Sequence, residues 1–169
     1  MDTKKKGRGF TIIEVVLVLA IAGLIFMMVF IALPALQRSQ RDSQRKQDLS
    51  RVQTAITNYT SSNRGALPAT AAAWTAFETS YLLVNGDTFV DPLGSTSTQG
   101  AAVTAYELKP SPAAAGAPLS VDFATGQNTI YYSVGSVCGA TNDTAITKGS
   151  RSVAFQMVLE GGGFDCRSN

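Results

Sequence analysis

The sequence predicts an α+β fold, in which one long amino-terminal helix, transmembrane first and amphipathic afterwards, packs against a small antiparallel β-sheet head. Three observations carry that prediction. Residues 10–36 form an apolar run of 27 residues in which Glu14 is the one charge. Leu49, Val52, Ile56 and Tyr59 then recur at spacings of three and four, the period of a single helix face. From residue 104 onward the apolar period shortens to two, which is that of a strand.

As a helix, the apolar run spans about 40 Å, against roughly 30 Å for the hydrocarbon core of a bilayer. A carboxylate near the centre of such a helix costs about 3 kcal/mol, and less toward an end, so Glu14 calls for a partner. Nothing nearby in the same run offers one. A cut between Gly9 and Phe10 would supply the missing cation as a new α-amino group within a turn of Glu14, or opposite it in a neighbouring chain. Ala20, Ala22 and Gly23 are small enough for close helix approach. Two plainer readings compete: a simple membrane anchor, and a secretory signal peptide cleaved near Ala35. The apolar part of a signal peptide is normally about 7 to 15 residues, and Leu33, at the third position back, is large for a cleavage site.

The basic tail, Gly9, then Phe10-Thr11-Ile12-Ile13-Glu14 and the long apolar helix resemble the class III signal of type IV pilins and type II secretion pseudopilins. That resemblance is strongest from Gly9 to Gly23. It implies the pilin fold, a cut after Gly9 by a membrane-embedded prepilin peptidase, and N-methylation of Phe10 by the same enzyme. It also implies that Glu14 is the assembly residue, neutralising the terminal amine of an adjacent subunit. Gly23 stands where the family has a helix-weakening glycine, and Pro34 stands three residues beyond the family's usual proline.

Residues 37–48 are abruptly polar, with no Gly or Pro, so one helix is expected from Phe10 to about residues 59–62. The polar stretch is read as a solvated stalk, or as a zone where Arg38 or Arg41 meets acidic groups of neighbouring copies. Its basic residues also stand where lipid phosphates would meet them before assembly. The stripe of Leu49, Val52, Ile56 and Tyr59 is the surface expected to pack under the head. Asn63-Arg64-Gly65 should end the helix, with Gly65 as a left-handed cap. A short helix over 70–83 follows, carrying Trp74, Phe77 and Tyr81 on one face and stopping at Asn85-Gly86. Asp91-Pro92-Leu93-Gly94 reads as a turn.

Candidate strands are 104–109, 119–124, 129–137 and 151–160. A hairpin at Thr125-Gly126-Gln127-Asn128 joins the second and third, and 139–150 is a polar loop. In the last strand Val153, Phe155, Met157 and Leu159 alternate with Ser152, Ala154, Gln156 and Val158. The domain reading is therefore a basic leader over 1–9, a transmembrane or filament-core helix over 10–36, a polar to amphipathic helix half over 37–62, and a globular head over 63–169.

The net charge of +2 is uneven: Lys4, Lys5, Lys6 and Arg8 against Asp2 account for more than all of it. Bulk attraction to nucleic acid is not predicted. Arg38, Arg41, Arg45 and Lys46 flank the far end of the apolar run, so basic residues alone do not orient it. Cys138 and Cys166 are the only cysteines; they suit a disulfide in an oxidising, exported compartment or, failing that, stay as two free thiols. The chain has no histidine, which removes the commonest general base and metal ligand. Gly161-Gly162-Gly163 lacks the Lys-Ser or Lys-Thr of a phosphate loop. Asp87, Asp91, Asp122, Asp143 and Asp165 match no calcium loop. No enzyme activity, cofactor or metal is predicted.

Three functions compete. A type IV pilus subunit would sit in the inner membrane as a single-pass precursor and then polymerise into an extracellular filament. Its partners would be copies of itself, the prepilin peptidase, an inner-membrane assembly platform, minor pilins and membrane lipid. Adhesion, twitching motility and DNA uptake all use such subunits, and none leaves a readable motif, so nucleic acid stays open as a partner. A type II secretion pseudopilin uses the same signal for a short periplasmic piston; the paired cysteines near the C-terminus favour the pilus. A single-pass surface binding protein leaves Glu14 without a role.

Overall fold

The computed structural model describes residues 9–84, 89–93 and 105–169. Two units divide at Gln37 and Arg38. The first holds the start of helix α1 (Ile12–Ser62), whose apolar side chains are exposed and which is long and apolar enough to cross a membrane. Helical structure runs through Pro34, which lacks the N–H of an ordinary helical residue.

The second unit begins with the rest of α1. Leu49, Val52, Ala55 and Ile56 are buried, with Tyr59 partly buried beside them. Burying Leu49, Val52 and Ile56 stabilises the unit by about 1.5–3 kcal/mol each. The helix stops where Arg64 and Gly65 take φ values of 56° and 81°, and the Gly65 N–H donates to the Thr60 carbonyl at 2.7 Å. Thr70 caps α2 (Ala71–Phe77), its hydroxyl accepting the Ala73 N–H at 3.2 Å. A π-helical turn, Glu78–Leu82, continues α2. The expected stop at Asn85-Gly86 lies outside the described residues.

The strands are β1 (Glu107–Pro110), β2 (Thr129–Val134), β3 (Ser136–Cys138), β4 (Ala145–Thr147), β5 (Val153–Val158) and β6 (Phe164–Ser168), with a helical turn α3 (Phe123–Gly126) before β2. The main sheet has the order β1-β2-β5-β6, and β3 pairs with β4 separately. β2-β5 and β5-β6 are antiparallel, but β1 runs parallel to β2, pairing Leu108 with Ile130. The sheet is therefore mixed rather than wholly antiparallel.

Several expected boundaries shift for identifiable reasons. The strand expected over 129–137 is broken by Gly135, at φ 79°, where only glycine is unstrained; the chain turns there from β2 into β3. Residues 119–124 do not form a strand. Leu119 is buried and its N–H donates to the Asp143 carbonyl at 2.6 Å, and the chain then coils into α3 where a hairpin was expected. The loop expected over 139–150 contains β4, and β6, which pairs with β5 across the Gly161-Gly162-Gly163 turn, was not anticipated.

β5 is buried on both faces. Val153, Phe155 and Met157 join the α1 stripe, Trp74, Phe77, Leu82 and Ile130 in the main core. Ala154 lies on the other side with Ala145, Cys166 and Cys138, covered by the β3-β4 pair. The second layer explains why polar-out alternation fails in β5. A disulfide joins Cys138 at the end of β3 to Cys166 inside β6.

Candidate assembly and head-docking sites

Gly9 and Phe10 precede α1, and Phe10 is 89% exposed. Phe10, Glu14, Val15, Val18 and Leu19 line one shallow apolar groove. Glu14 has a partner that the reading of the apolar run overlooked. The Thr11 backbone N–H and hydroxyl both donate to Glu14 Oε2 at 2.9 Å, and the Glu14 N–H donates to Thr11 Oγ1 at 3.3 Å. This is a reciprocal capping box, and Thr-x-x-Glu ahead of an apolar helix is its sequence signature. It satisfies hydrogen bonds and leaves the charge: among the described residues no cation lies within salt-bridge distance of Glu14. Ala20 and Gly23 are exposed, and a Cβ on Gly23 would meet nothing within 4 Å.

In the second unit, the polar stretch of α1 is not a bare stalk, because several of its charged residues are paired within the chain. Arg41 makes a two-pronged pair with Glu160, its Nε and Nη2 donating at 2.7 and 2.6 Å. Arg45 reaches Asp91 by Nε at 2.6 Å and Nη2 at 2.8 Å, and Asp42 by Nη1 at 2.9 Å. Its guanidinium also lies 4.8 Å from the Phe123 ring centroid. Asp42 in turn accepts the backbone N–H groups of Glu160 and Gly161, both at 2.8 Å. A Cβ on Gly161 would lie 3.0 Å from Asp42 Oδ2, a tight contact that glycine avoids. Asp91 closes its own turn by accepting the Leu93 N–H at 2.9 Å. Arg38, 61% exposed, adds a looser contact of 3.6 Å to Glu160.

Burial opposes the charge of Arg45, but the hydrogen bonds and charges of Asp91 and Asp42 outweigh it and raise its pKa. The hydrogen bond from Arg41 holds the Glu160 carboxyl below the usual carboxylate range. Nearby, burial pushes the Asp48 and Glu78 carboxyls up, against hydrogen bonds from the Tyr106 hydroxyl and the Leu108 N–H respectively. The signal for this ion network was present. Arg38, Asp42, Arg45, Leu49, Val52, Ile56 and Tyr59 follow one spacing of three and four, so the charged residues extend the apolar stripe toward the N-terminus. A search for apolar periodicity passes over them.

Residues 4–30 match the prokaryotic N-terminal methylation motif. Among curated proteins and solved structures nothing matches the chain. The matched motif and the fold together define a type IV pilin-like protein, a structural rather than an enzymatic one, carrying the class III signal of the type IV pilin and pseudopilin superfamily. The motif implies processing by a prepilin peptidase, an inner-membrane precursor, and assembly into a filament-like polymer of the pilus or pseudopilus kind.

Proposed function

We propose that the chain is a subunit of an extracellular type IV pilus, cut between Gly9 and Phe10 and N-methylated at Phe10. The observation that carries this reading is the methylation motif at the head of a 51-residue helix that exposes its apolar side chains as far as Leu36. Residues 1–9 are the leader, 10–36 the membrane and then filament-core helix, 37–62 the helix half that carries the head, and 63–169 the head. In the filament, burial of apolar surface drives helix bundling. The α-amino group of Phe10 pairs with Glu14 of an adjacent copy and selects the register, because a misregistered carboxylate stays buried without a cation. Ala20 and Gly23 allow close helix contacts, and Gly23 to Pro34 is where the helix yields on packing.

The pseudopilin reading shares the same motif; the Cys138–Cys166 disulfide supports the pilus. The discriminating experiment is electron microscopy of native cells at native expression, with immunogold against this chain. Labelled filaments extending from the cell surface support the pilus. Label confined to the envelope supports the secretion piston instead.

A further inference from the structure

We infer that the groove between the end of α1 and the β4–β5 turn binds the carboxylate of an acidic sugar unit, with Arg64 and Arg151 as the groups that hold it. The site belongs to the head alone, and the inference stands whichever polymer the chain joins.

The arginines of the second unit fall into two sets. Arg41 and Arg45 are bound to carboxylates, Arg38 contacts Glu160, Arg51 donates to the Leu82 carbonyl at 2.6 Å, and Arg167 pairs with Asp165 at 3.1 Å. Among the described residues, the guanidinium groups of Arg64 and Arg151 have no such partner, and both line one groove of about 370 Å³. Small-ligand pockets run from about 300 to 1,000 Å³. Leu67, Pro68 and Val134 give this one an apolar wall, with Ser150 beside them, and among the described residues no Asp, Glu or aromatic side chain lines it.

Both arginine positions are constrained. Arg64 adopts φ 56°, a left-handed backbone that is costly for a residue with a Cβ, and such costs cluster at ligand clamps. Arg151 lies along the next residue, its Cδ, Nε and Cζ each 3.7 Å from where a Gly65 Cβ would stand. Its carbonyl accepts the Asn169 side-chain amide at 3.0 Å. The end of α1 does not occupy these charges, because the Tyr59, Thr60 and Asn63 carbonyls accept the N–H groups of Asn63, Gly65 and Ala66.

A guanidinium is a planar fork of N–H donors that matches the two oxygens of a carboxylate. The apolar wall gives the C–H face of a sugar ring a surface to cover. A nucleic-acid strand fits less well, since its phosphates call for a row of cations and its bases for aromatic platforms.

The test titrates the full chain in detergent with oligogalacturonate, alginate and hyaluronan fragments and, in parallel, with methyl-esterified oligogalacturonate and single-stranded DNA. Binding to at least one acidic fragment is expected, and none to the ester. Arg64→Gly, which suits the left-handed backbone, and Arg151→Gln should each weaken that binding by about tenfold or more, while Lys109→Gln leaves it unchanged. Val134→Glu, at an exposed position on the wall, sets a competing carboxylate in the groove and should weaken binding as much without touching either arginine. No binding to any acidic fragment, binding that survives esterification or these substitutions, an equal loss with Lys109→Gln, or tighter binding to DNA overturns the proposal.

Discussion

Arg45 and Asp91 lie 46 residues apart in sequence and meet through two hydrogen bonds of 2.6 and 2.8 Å, with side chains 1% and 2% exposed. The pair ties α1 to the turn at Asp91, as Asp42 ties it to the Glu160–Gly161 end of β5. Removing Arg45 leaves Asp91 and Asp42 as buried carboxylates without their cation. Arg45→Ala is therefore expected to destabilise the head by about 3–5 kcal/mol, read as a lower urea midpoint for the full chain in detergent. A loss no larger than that of an exposed control such as Lys109→Ala would contradict the network.

The perturbed carboxylates predict opposite pH responses. Glu160 has a folded-state pKa below its unfolded value, so its contribution is fully present above the unfolded carboxyl range and is lost as pH falls through the folded pKa. Glu160→Gln should flatten the acid limb of the stability curve. Glu78 has a folded-state pKa above its unfolded value, so its charged form costs stability at neutral pH, and the cost disappears on acidification. Glu78→Gln should raise stability at pH 7 and make no difference below the unfolded carboxyl range. Urea midpoints across pH 3–8 check both signs.

The Cys138–Cys166 bond closes a separation of 28 residues and holds the β3-β4 pair over the outer face of β5. Replacing both cysteines with serine is expected to cost about 3–4 kcal/mol in the chain-entropy account. Hydrogen exchange should rise first in β3 and β4, because the main core lies on the other face of the sheet. Uniform loss of protection in every element would contradict that order.

Thr11 and Glu14 allow capping to be separated from charge. Glu14→Gln keeps a residue able to complete the capping box but removes the carboxylate, whereas Thr11→Val removes the cap at a cost of about 1 kcal/mol and keeps the charge. Charge pairing predicts that filaments vanish with Glu14→Gln and persist with Thr11→Val, with precursor present in the membrane in both. The reverse pattern in filament counts would assign Glu14 to capping alone.

Much of the architecture was legible where apolar side chains repeat. The apolar run, the stripe from Leu49 to Tyr59 and the core-facing Val153, Phe155 and Met157 of β5 are each set by a local period. What was not legible depends on distant partners. β1 is parallel to β2 although its residues carry no mark of direction, and β5 is buried twice because β3 and β4 fold back over it. Residues 119–124 have strand-like composition, but Leu119 is anchored by the Asp143 carbonyl and Gly126 packs against Val121 and Val158, which favours a coil and a helical turn. At the head-docking site, Asp42 and Arg45 fit the helical stripe as well as Leu49 does, yet those positions are burial sites only because Asp91 meets Arg45 and the Glu160 and Gly161 N–H groups meet Asp42. At the assembly site, Thr11-Ile12-Ile13-Glu14 was read for its charge, while its capping geometry was equally written in the spacing.

The central claim is that the chain is processed after Gly9 and polymerised through the exposed helix that follows. The most direct measurement is the intact mass and N-terminal sequence of the chain in filaments sheared from its native cells. A mature chain beginning with N-methylated Phe10, two hydrogens lighter for the Cys138–Cys166 bond, is the predicted result. A chain beginning at Met1 and recovered only from the membrane fraction would contradict it.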